Sequence, residues 1–245
     1  MAALDDADAL ATWEKAVACP TPLRGAALLQ LAGTDEDEDQ CAALPLGEAA
    51  RRLLELHARR FGRTLSCVAE CPACGTALEA DCDAHTLAAQ ASSQPAGDSR
   101  CVAAAGFAAR VRLPSMLDLA QAARTRDVAE ARRVLLERCV IEAIHDDTPC
   151  AAADLPQEVT FAIAAALEDA DPLADIGLAF QCPACDTAWT ATLDPARFVL
   201  AAVERAAQAV MLDVHALALA YGWTEAETLA LGRARRRAYL ELAGR

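Results

Sequence analysis

The amino-acid sequence predicts a mainly α-helical protein with a small β part. Hydrophobic residues make up 55% of the 245 residues, but aromatic residues make up only 4%, and alanine carries much of the apolar total. This composition favours closely packed helices over a β-sandwich. Two short segments with paired cysteines and strand-like arms interrupt the helical pattern, and they predict the β part.

Residues 1–62 form the first predicted unit, a helical segment. Residues 8–32 have the apolar spacing of a helix. Pro20 and Pro22 divide this stretch in two, because proline cannot continue the interior of a helix. A further helix is predicted over residues 48–61, with glycine directly after it as a stop signal.

Two β-hairpins are predicted, at residues 63–85 and 175–194. In each, a Cys-Pro-Ala-Cys turn separates two arms that have the length of short strands. The predicted arms are residues 64–70, 76–82, 176–181 and 187–193.

The segment between the hairpins, residues 86–174, is predicted to be a helical insertion. It starts with a loose linker at residues 91–105, which is rich in alanine, serine and glycine. Its predicted helices cover residues 117–122, 128–144 and 155–167. The last unit, residues 195–245, consists of C-terminal helices: Asp194-Pro195 starts a long one, and a capping box at residues 224–227 starts another.

The paired cysteines are the strongest chemical signal in the chain. Cys71 and Cys74 are three positions apart on one turn, and Cys182 and Cys185 repeat that spacing on the other. Two such pairs supply the four thiolates of a tetrahedral zinc site. We therefore predict a structural Zn²⁺ ion held by all four, which would make the two hairpins one split zinc ribbon. A closed set of four thiolates leaves no position for catalytic water.

Three other interpretations of these pairs stay open. A single Cys-x-x-Cys can arise by chance in a chain with eleven cysteines. A redox pair of the thioredoxin type would need to lie at the start of a helix, whereas strand-like residues follow each pair here. An iron–sulfur cluster also uses four cysteines, although its ligands are usually spaced differently.

No pattern of catalytic residues accompanies these cysteines. The four histidines are scattered, and His85, the nearest to a cysteine pair, has no matching neighbour. There is no phosphate loop, nucleophile elbow or serine–histidine–aspartate pattern. We therefore expect no enzyme activity and no small-molecule substrate. The remaining cysteines are interpreted as small apolar or surface residues: Cys19, Cys41, Cys67, Cys82, Cys101, Cys139 and Cys150.

Charge and hydropathy narrow the expected location and partners. The net charge of −14 and the pI near 4.7 argue against nucleic acid and anionic membranes as partners. The segment at residues 198–223 contains Glu204, Arg205 and Asp213, which argues against a membrane span. Because the first residues lack a basic start and an apolar stretch, we expect a cytoplasmic protein.

Two arginine clusters stand out in this acidic chain. One is the run at residues 233–237, and the other comprises Arg51, Arg52, Arg59, Arg60 and Arg63. The first is read either as a solvated helix face or as a docking patch for an acidic protein partner.

The chain resembles a bacterial family of T4-type phage baseplate proteins, also described as baseplate hub assembly chaperones, of contractile phages and phage-derived injection systems. The resemblance spans nearly the whole chain. It is carried by Trp13-Glu14, residues 24–29, 43–47, 53–54, 60–62, 71–75, 78–79, 113–115, 118–119, 135–139 and 171–175, and most specifically by residues 182–185, Trp189, 214–217, 220–223, 225–227 and 237–240.

The resemblance implies a cytoplasmic, non-enzymatic assembly or structural factor that contacts other baseplate or hub proteins and that could be incorporated into the particle. The chain departs from the family pattern at two places. Asp186 stands where glycine often follows the second cysteine pair, and Glu48-Ala49 stands where the family carries Arg-Asp.

Two functions outside this family also remain open. One is a zinc-ribbon adaptor in transcription or translation, against which the acidic charge counts. The other is a thiol oxidoreductase.

Overall fold

The computed structural model describes residues 5–33, 35–91 and 99–244. About 56% of the chain is helical and about 20% lies in strands. The strands of the described ranges form small antiparallel sheets of two, four and two strands. The prediction of a mainly α-helical protein with a small β part is confirmed.

The described N-terminal part contains the helices α1 (Asp6–Ala18), α2 (Arg24–Leu29), α3 (Glu38–Ala43) and α4 (Leu46–Arg60). α1 ends just before Pro20, as predicted, and a 3₁₀ turn leads into α2. At the start of α3, Asp37 and Gln40 form a reciprocal capping box. These short helices bury mainly alanine and leucine side chains.

The first hairpin consists of β1 (Thr64–Glu70) and β2 (Ala77–Asp83), and α5 (Ala84–Ala88) follows it directly. The two strands pair along their whole length, from Thr64 opposite Asp83 to Glu70 opposite Ala77. The Asp83 carboxylate ends the hairpin by accepting a hydrogen bond from the Thr86 N–H at 2.8 Å. This hairpin lies where the sequence predicts it.

The segment between the hairpins contains β3 (Arg100–Ala104), β4 (Phe107–Val111), α6 (Met116–Ala122), α7 (Val128–Cys139), β5 (Val140–His145), β6 (Thr148–Pro149) and α8 (Gln157–Ala170). The prediction of a wholly helical insertion is therefore wrong. β3, β4, β5 and β6 form a four-stranded sheet in that order.

Two predicted elements change as a result. The linker predicted at residues 91–105 includes β3, while residues 92–98 lie outside the described residues. The helix predicted over residues 128–144 ends at Cys139 and continues as β5. Residues 140–145 have helical spacing, but they pair with β4 and therefore form a strand. Just before them, the Cys139 carbonyl accepts a hydrogen bond from the Arg112 N–H at 2.9 Å.

The C-terminal part contains β7 (Ile176–Gln181), β8 (Ala188–Leu193), α9 (Pro195–Tyr221), α10 (Glu225–Leu229) and α11 (Arg233–Leu242). β7 and β8 form the second predicted hairpin. The Asp194 carboxylate accepts a hydrogen bond from the Ala196 N–H and caps α9, and Gly222, at φ +69°, ends it. The last predicted helix is interrupted and forms α10 and α11.

Three apolar clusters hold these elements together in the described part of the chain. The first joins the N-terminal helices to α9, through side chains such as Leu29 and Val203. The third lies between the four-stranded sheet and α8. The second contains Leu65 from one hairpin and Ile176 and Leu193 from the other. The bases of the two hairpins therefore share one core, which places their cysteine turns side by side.

Within the described ranges, none of the helices has the length and hydropathy needed to cross a bilayer.

Candidate metal centre

The two cysteine turns have the same backbone geometry. In the first, the Gly75 N–H donates to the Cys71 carbonyl at 2.9 Å. In the second, the Asp186 N–H donates to the Cys182 carbonyl, also at 2.9 Å. Gly75 has φ +74° and Asp186 has φ +55°, so both occupy the left-handed region. Aspartate tolerates that region better than most residues with a side chain, which explains why the second turn forms without glycine.

The turns place four sulfur atoms in one small volume. The Sγ atoms of Cys71, Cys74, Cys182 and Cys185 all lie within 4.8 Å of one another. The distance from Cys71 Sγ to Cys185 Sγ is 3.6 Å, and the distance from Cys74 Sγ to Cys182 Sγ is 3.5 Å. Both of these contacts join one hairpin to the other, so the four sulfurs form a single group.

This arrangement fits one tetrahedral metal ion. Four sulfurs about 2.3 Å from a zinc ion lie about 3.8 Å from one another, close to the distances found between the hairpins. A disulfide would need an S–S distance of about 2.05 Å, which is much shorter than the 3.5 and 3.6 Å found between these sulfurs. Cys71 and Cys182 are buried, whereas Cys74 and Cys185 are exposed. The four cysteines can therefore bind a metal ion, with two ligands facing the protein and two facing solvent.

The electrostatic surroundings of the sulfurs differ. A hydrogen bond with the Thr76 hydroxyl at 3.2 Å lowers the pKa of Cys74 to about 6. Cys185 Sγ lies 3.3 Å from the Thr187 hydroxyl, and the hydrogen bond that this hydroxyl can donate to the thiolate lowers the pKa of Cys185. Burial raises the pKa of Cys182 to about 11. Four thiolates at this distance repel one another, and a bound cation compensates for that repulsion.

The structure brings together all four cysteines that the sequence singles out. In the described ranges they are the one group of three or more His, Cys, Asp or Glu residues with atoms close enough for a metal. His85, which lies in α5, is outside this group. Sequence reasoning missed Thr76 and Thr187. Threonine follows the second cysteine of each pair by two positions, and this repeat was the available signal.

The other cysteines lie away from the centre. Cys41, Cys67 and Cys139 are buried, and Cys101 is exposed. Burial raises the pKa of Cys67 to about 11, with a smaller contribution from the neighbouring Cys82. Burial likewise raises the pKa of Cys139 to about 11. Cys67 and Cys139 therefore stay protonated at neutral pH and are poor nucleophiles.

A buried carboxylate organises the insertion. Asp118 accepts hydrogen bonds from Arg112 at 2.7 and 2.9 Å and from Arg138 at 2.6 Å. The Ser115 N–H and hydroxyl donate to the same carboxylate at 2.9 and 3.0 Å. Burial alone would raise the pKa of Asp118, but these hydrogen bonds hold it well below its ordinary value. The group joins α6 and α7 to the residue that directly follows β4, and it has the form of a structural ion cluster.

Most of the clustered arginines are paired within the chain. Arg236 is buried and binds both Asp6 and Asp213, and Arg233 binds Asp6 at 2.8 Å. The run at residues 233–237 is thus neither a wholly solvated face nor a wholly free patch. In the second cluster, Arg51 pairs with Glu48 and Glu55, Arg52 with Glu48 and Glu36, and Arg63 with Asp83.

Comparison of the chain with protein-family models, with curated proteins and with solved structures gives no match.

Proposed function

We propose that this chain is a non-enzymatic structural or assembly protein whose fold is held by a structural zinc ion. The observation that carries this proposal is the position of the four sulfurs. Cys74 and Cys182 are 108 positions apart in sequence, yet their sulfurs lie 3.5 Å apart. A metal bound there connects two distant parts of the chain, as a structural site does.

The coordination geometry favours a structural role over a catalytic one. Four thiolate ligands complete a tetrahedral sphere around zinc, so no position remains for water or substrate. A thiol oxidoreductase is less well supported. Both cysteine pairs lie between strands rather than at the start of a helix, and the sulfur contacts of 3.5 and 3.6 Å join different pairs.

The baseplate assignment is supported by the resemblance described above. Several segments that carry the resemblance contact one another in the fold. Gly47, at the end of one segment, hydrogen-bonds to Asp171, at the start of another. Asp118 and Arg138 belong to two further segments and form an ion pair. These contacts mean that the segments stabilise the fold. Such a role is expected if the family consists of structural proteins that share one fold.

The proposed partners are other baseplate or hub proteins, and the proposed location is the cytoplasm or the assembled particle. The net charge of −14 disfavours nucleic acid as a partner, because phosphate contacts need a positive field. The same charge disfavours the alternative of a zinc-ribbon adaptor in transcription or translation.

Deletion of the gene tests this function. We expect genes for a sheath, a tube and a spike beside it, and we expect electron microscopy of the deletion strain to show no complete contractile particles. Complementation with the wild-type gene restores them, whereas a Cys71→Ser, Cys182→Ser double variant does not. Normal particles in the deletion strain, or ribosomal or polymerase genes as neighbours, would contradict the proposal.

A further inference from the structure

A cleft of about 500 Å³ lies between the two hairpins and the first turns of α9. Residues 64–69 of β1 line one side of it. Successive side chains of a strand point to opposite faces, so a lining made of consecutive residues means that the edge of β1 borders the cleft. The opposite side is formed by the second hairpin.

The edge of β1 is available for pairing. Its sheet has two strands, β1 and β2, so one edge of β1 has no partner strand in the described part of the chain. An unpaired edge presents a row of backbone N–H and C=O groups that can bind another extended segment. Val68, in the middle of the strand, is 69% exposed. A segment bound along this edge would cover the exposed side chain of Val68.

The rest of the cleft is lined by apolar side chains, which form an apolar wall, and by two arginines. Leu178, Phe180 and Phe198 are half-buried side chains that line it. Arg197 and Arg205 also line it, both are exposed, and neither has a carboxylate partner among the described residues. The lining contains one carboxylate, Asp194, and this group already accepts the hydrogen bond that caps α9. The cleft therefore offers two free positive charges in a strongly acidic protein.

We propose that this cleft binds an extended acidic peptide segment of a partner protein, which pairs with the edge of β1 and places its carboxylates against Arg197 and Arg205. Backbone pairing supplies affinity that does not depend on sequence, and the arginines and the apolar wall select acidic and β-branched side chains. β1 has seven residues and a strand rises about 3.4 Å per residue, so a partner strand of seven to nine residues suits it.

A second copy of this chain is a less suitable occupant. Two copies would each bring a net charge of −14, and a second β1 strand carries one carboxylate, Glu70, for the two arginines. The inference does not rest on the baseplate assignment, because it concerns the chemistry of the cleft alone.

The probe for this proposal is an acetylated and amidated nonapeptide of alternating valine and glutamate. The peptide is titrated into the isotopically labelled, metal-loaded chain, and binding is followed by NMR. We expect saturable shifts of the β1 backbone amides, and cross-strand contacts between peptide and β1. A Val–Lys peptide of the same length should not bind, and methylation of the peptide's alternate backbone nitrogens should abolish binding.

A pair of matched variants tests the arginines. Arg197→Gln with Arg205→Gln should weaken binding about tenfold, since each lost ion pair contributes modestly. Arg124→Gln with Arg126→Gln removes the same charge from an exposed site outside the cleft and should leave affinity unchanged. The proposal is overturned if the Val–Glu peptide does not bind at millimolar concentration, if the shifts lie away from β1, or if the first variant binds as tightly as the second. Concentration-dependent dimerisation through β1 in the absence of peptide would instead favour a second copy, and would also overturn it.

Discussion

The Asp171 carboxylate accepts a hydrogen bond from the Gly47 N–H at 2.9 Å, although the two residues are 124 positions apart in sequence. Gly47 lies in the first turn of α4, where backbone N–H groups lack partners within the helix. A Cβ atom on Gly47 would lie 1.7 Å from the Oδ1 atom of Asp171, so only glycine fits. This contact fixes the end of the insertion against α4, beside the bases of the hairpins.

Gly47→Ala should therefore destabilise the protein. The new methyl group displaces Asp171, and the buried N–H of residue 47 loses its acceptor, which costs about 2 kcal/mol. Chemical denaturation measures this loss. Gly232→Ala is the matched control, because a Cβ there meets nothing within 4 Å. Equal stability of the two variants would show that the contact between Gly47 and Asp171 is unimportant.

Asp118→Asn should reduce stability in a pH-dependent manner. The substitution leaves Arg112 and Arg138 without their shared charge, which costs about 3 kcal/mol at neutral pH. The folded-state pKa of Asp118 is lowered, so its contribution is complete above the ordinary pKa of 3.8 and is lost as the pH falls below it. The difference from the wild type should thus shrink in acid.

Denaturation of both proteins at pH 7 and at pH 3 measures this difference. Glu130→Gln breaks an exposed ion pair with Arg133 and serves as the control, which should leave the stability nearly unchanged at both pH values. A loss for Asp118→Asn that does not change with pH would contradict a charged Asp118 as its source.

Arg236→Gln should destabilise the C-terminal helices. Arg236 is 4% exposed and binds Asp6 of α1 and Asp213 of α9, so its loss leaves partly buried carboxylates without a full set of donors. We expect a cost of about 3 kcal/mol. Arg235→Gln changes an exposed residue of the same helix and should have an effect within about 0.5 kcal/mol. A comparable effect of both, measured by thermal unfolding, would mean that the run acts as a general basic surface.

Ala105→Asn should stabilise the turn between β3 and β4. Ala105 has φ +50° and Gly106 has φ +79°, which suits a two-residue hairpin turn with both central residues in the left-handed region. Asparagine tolerates this region better than alanine, so a gain of about 1 kcal/mol is expected. Ala105→Val should have the opposite effect, because a β-branched side chain resists a positive φ. Loss of stability in the asparagine variant would argue against this turn.

The group of four cysteines could be predicted from the sequence because its signal is local. The spacing within each cysteine pair and the strand-like arms are contained in about twenty residues, so Cys71 and Cys182 were found without any tertiary information. The helix that begins after Asp194 and the break at Pro20 likewise depend on neighbouring residues. These features are the ones that the structure reproduces.

The sheet of the insertion could not be predicted in the same way. β3 has the sequence Arg-Cys-Val-Ala-Ala with Val102 as its one buried residue, so it lacks the alternation of apolar and polar residues that would mark a strand. β5 carries apolar residues that also match helical spacing, and only its pairing with β4 makes it a strand. The free edge of β1 and the partners of Arg236 also arise from tertiary packing, which local patterns do not report.

The metal content of the chain decides whether one metal ion closes the fold through both hairpins. Native mass spectrometry with elemental analysis should find one zinc ion per chain. Cys71→Ser and Cys182→Ser should each lose the metal together with cooperative unfolding, while Cys101→Ser, at an exposed cysteine outside the group, should retain both. A chain without metal, or a Cys182→Ser variant that keeps its full zinc content, would contradict the account.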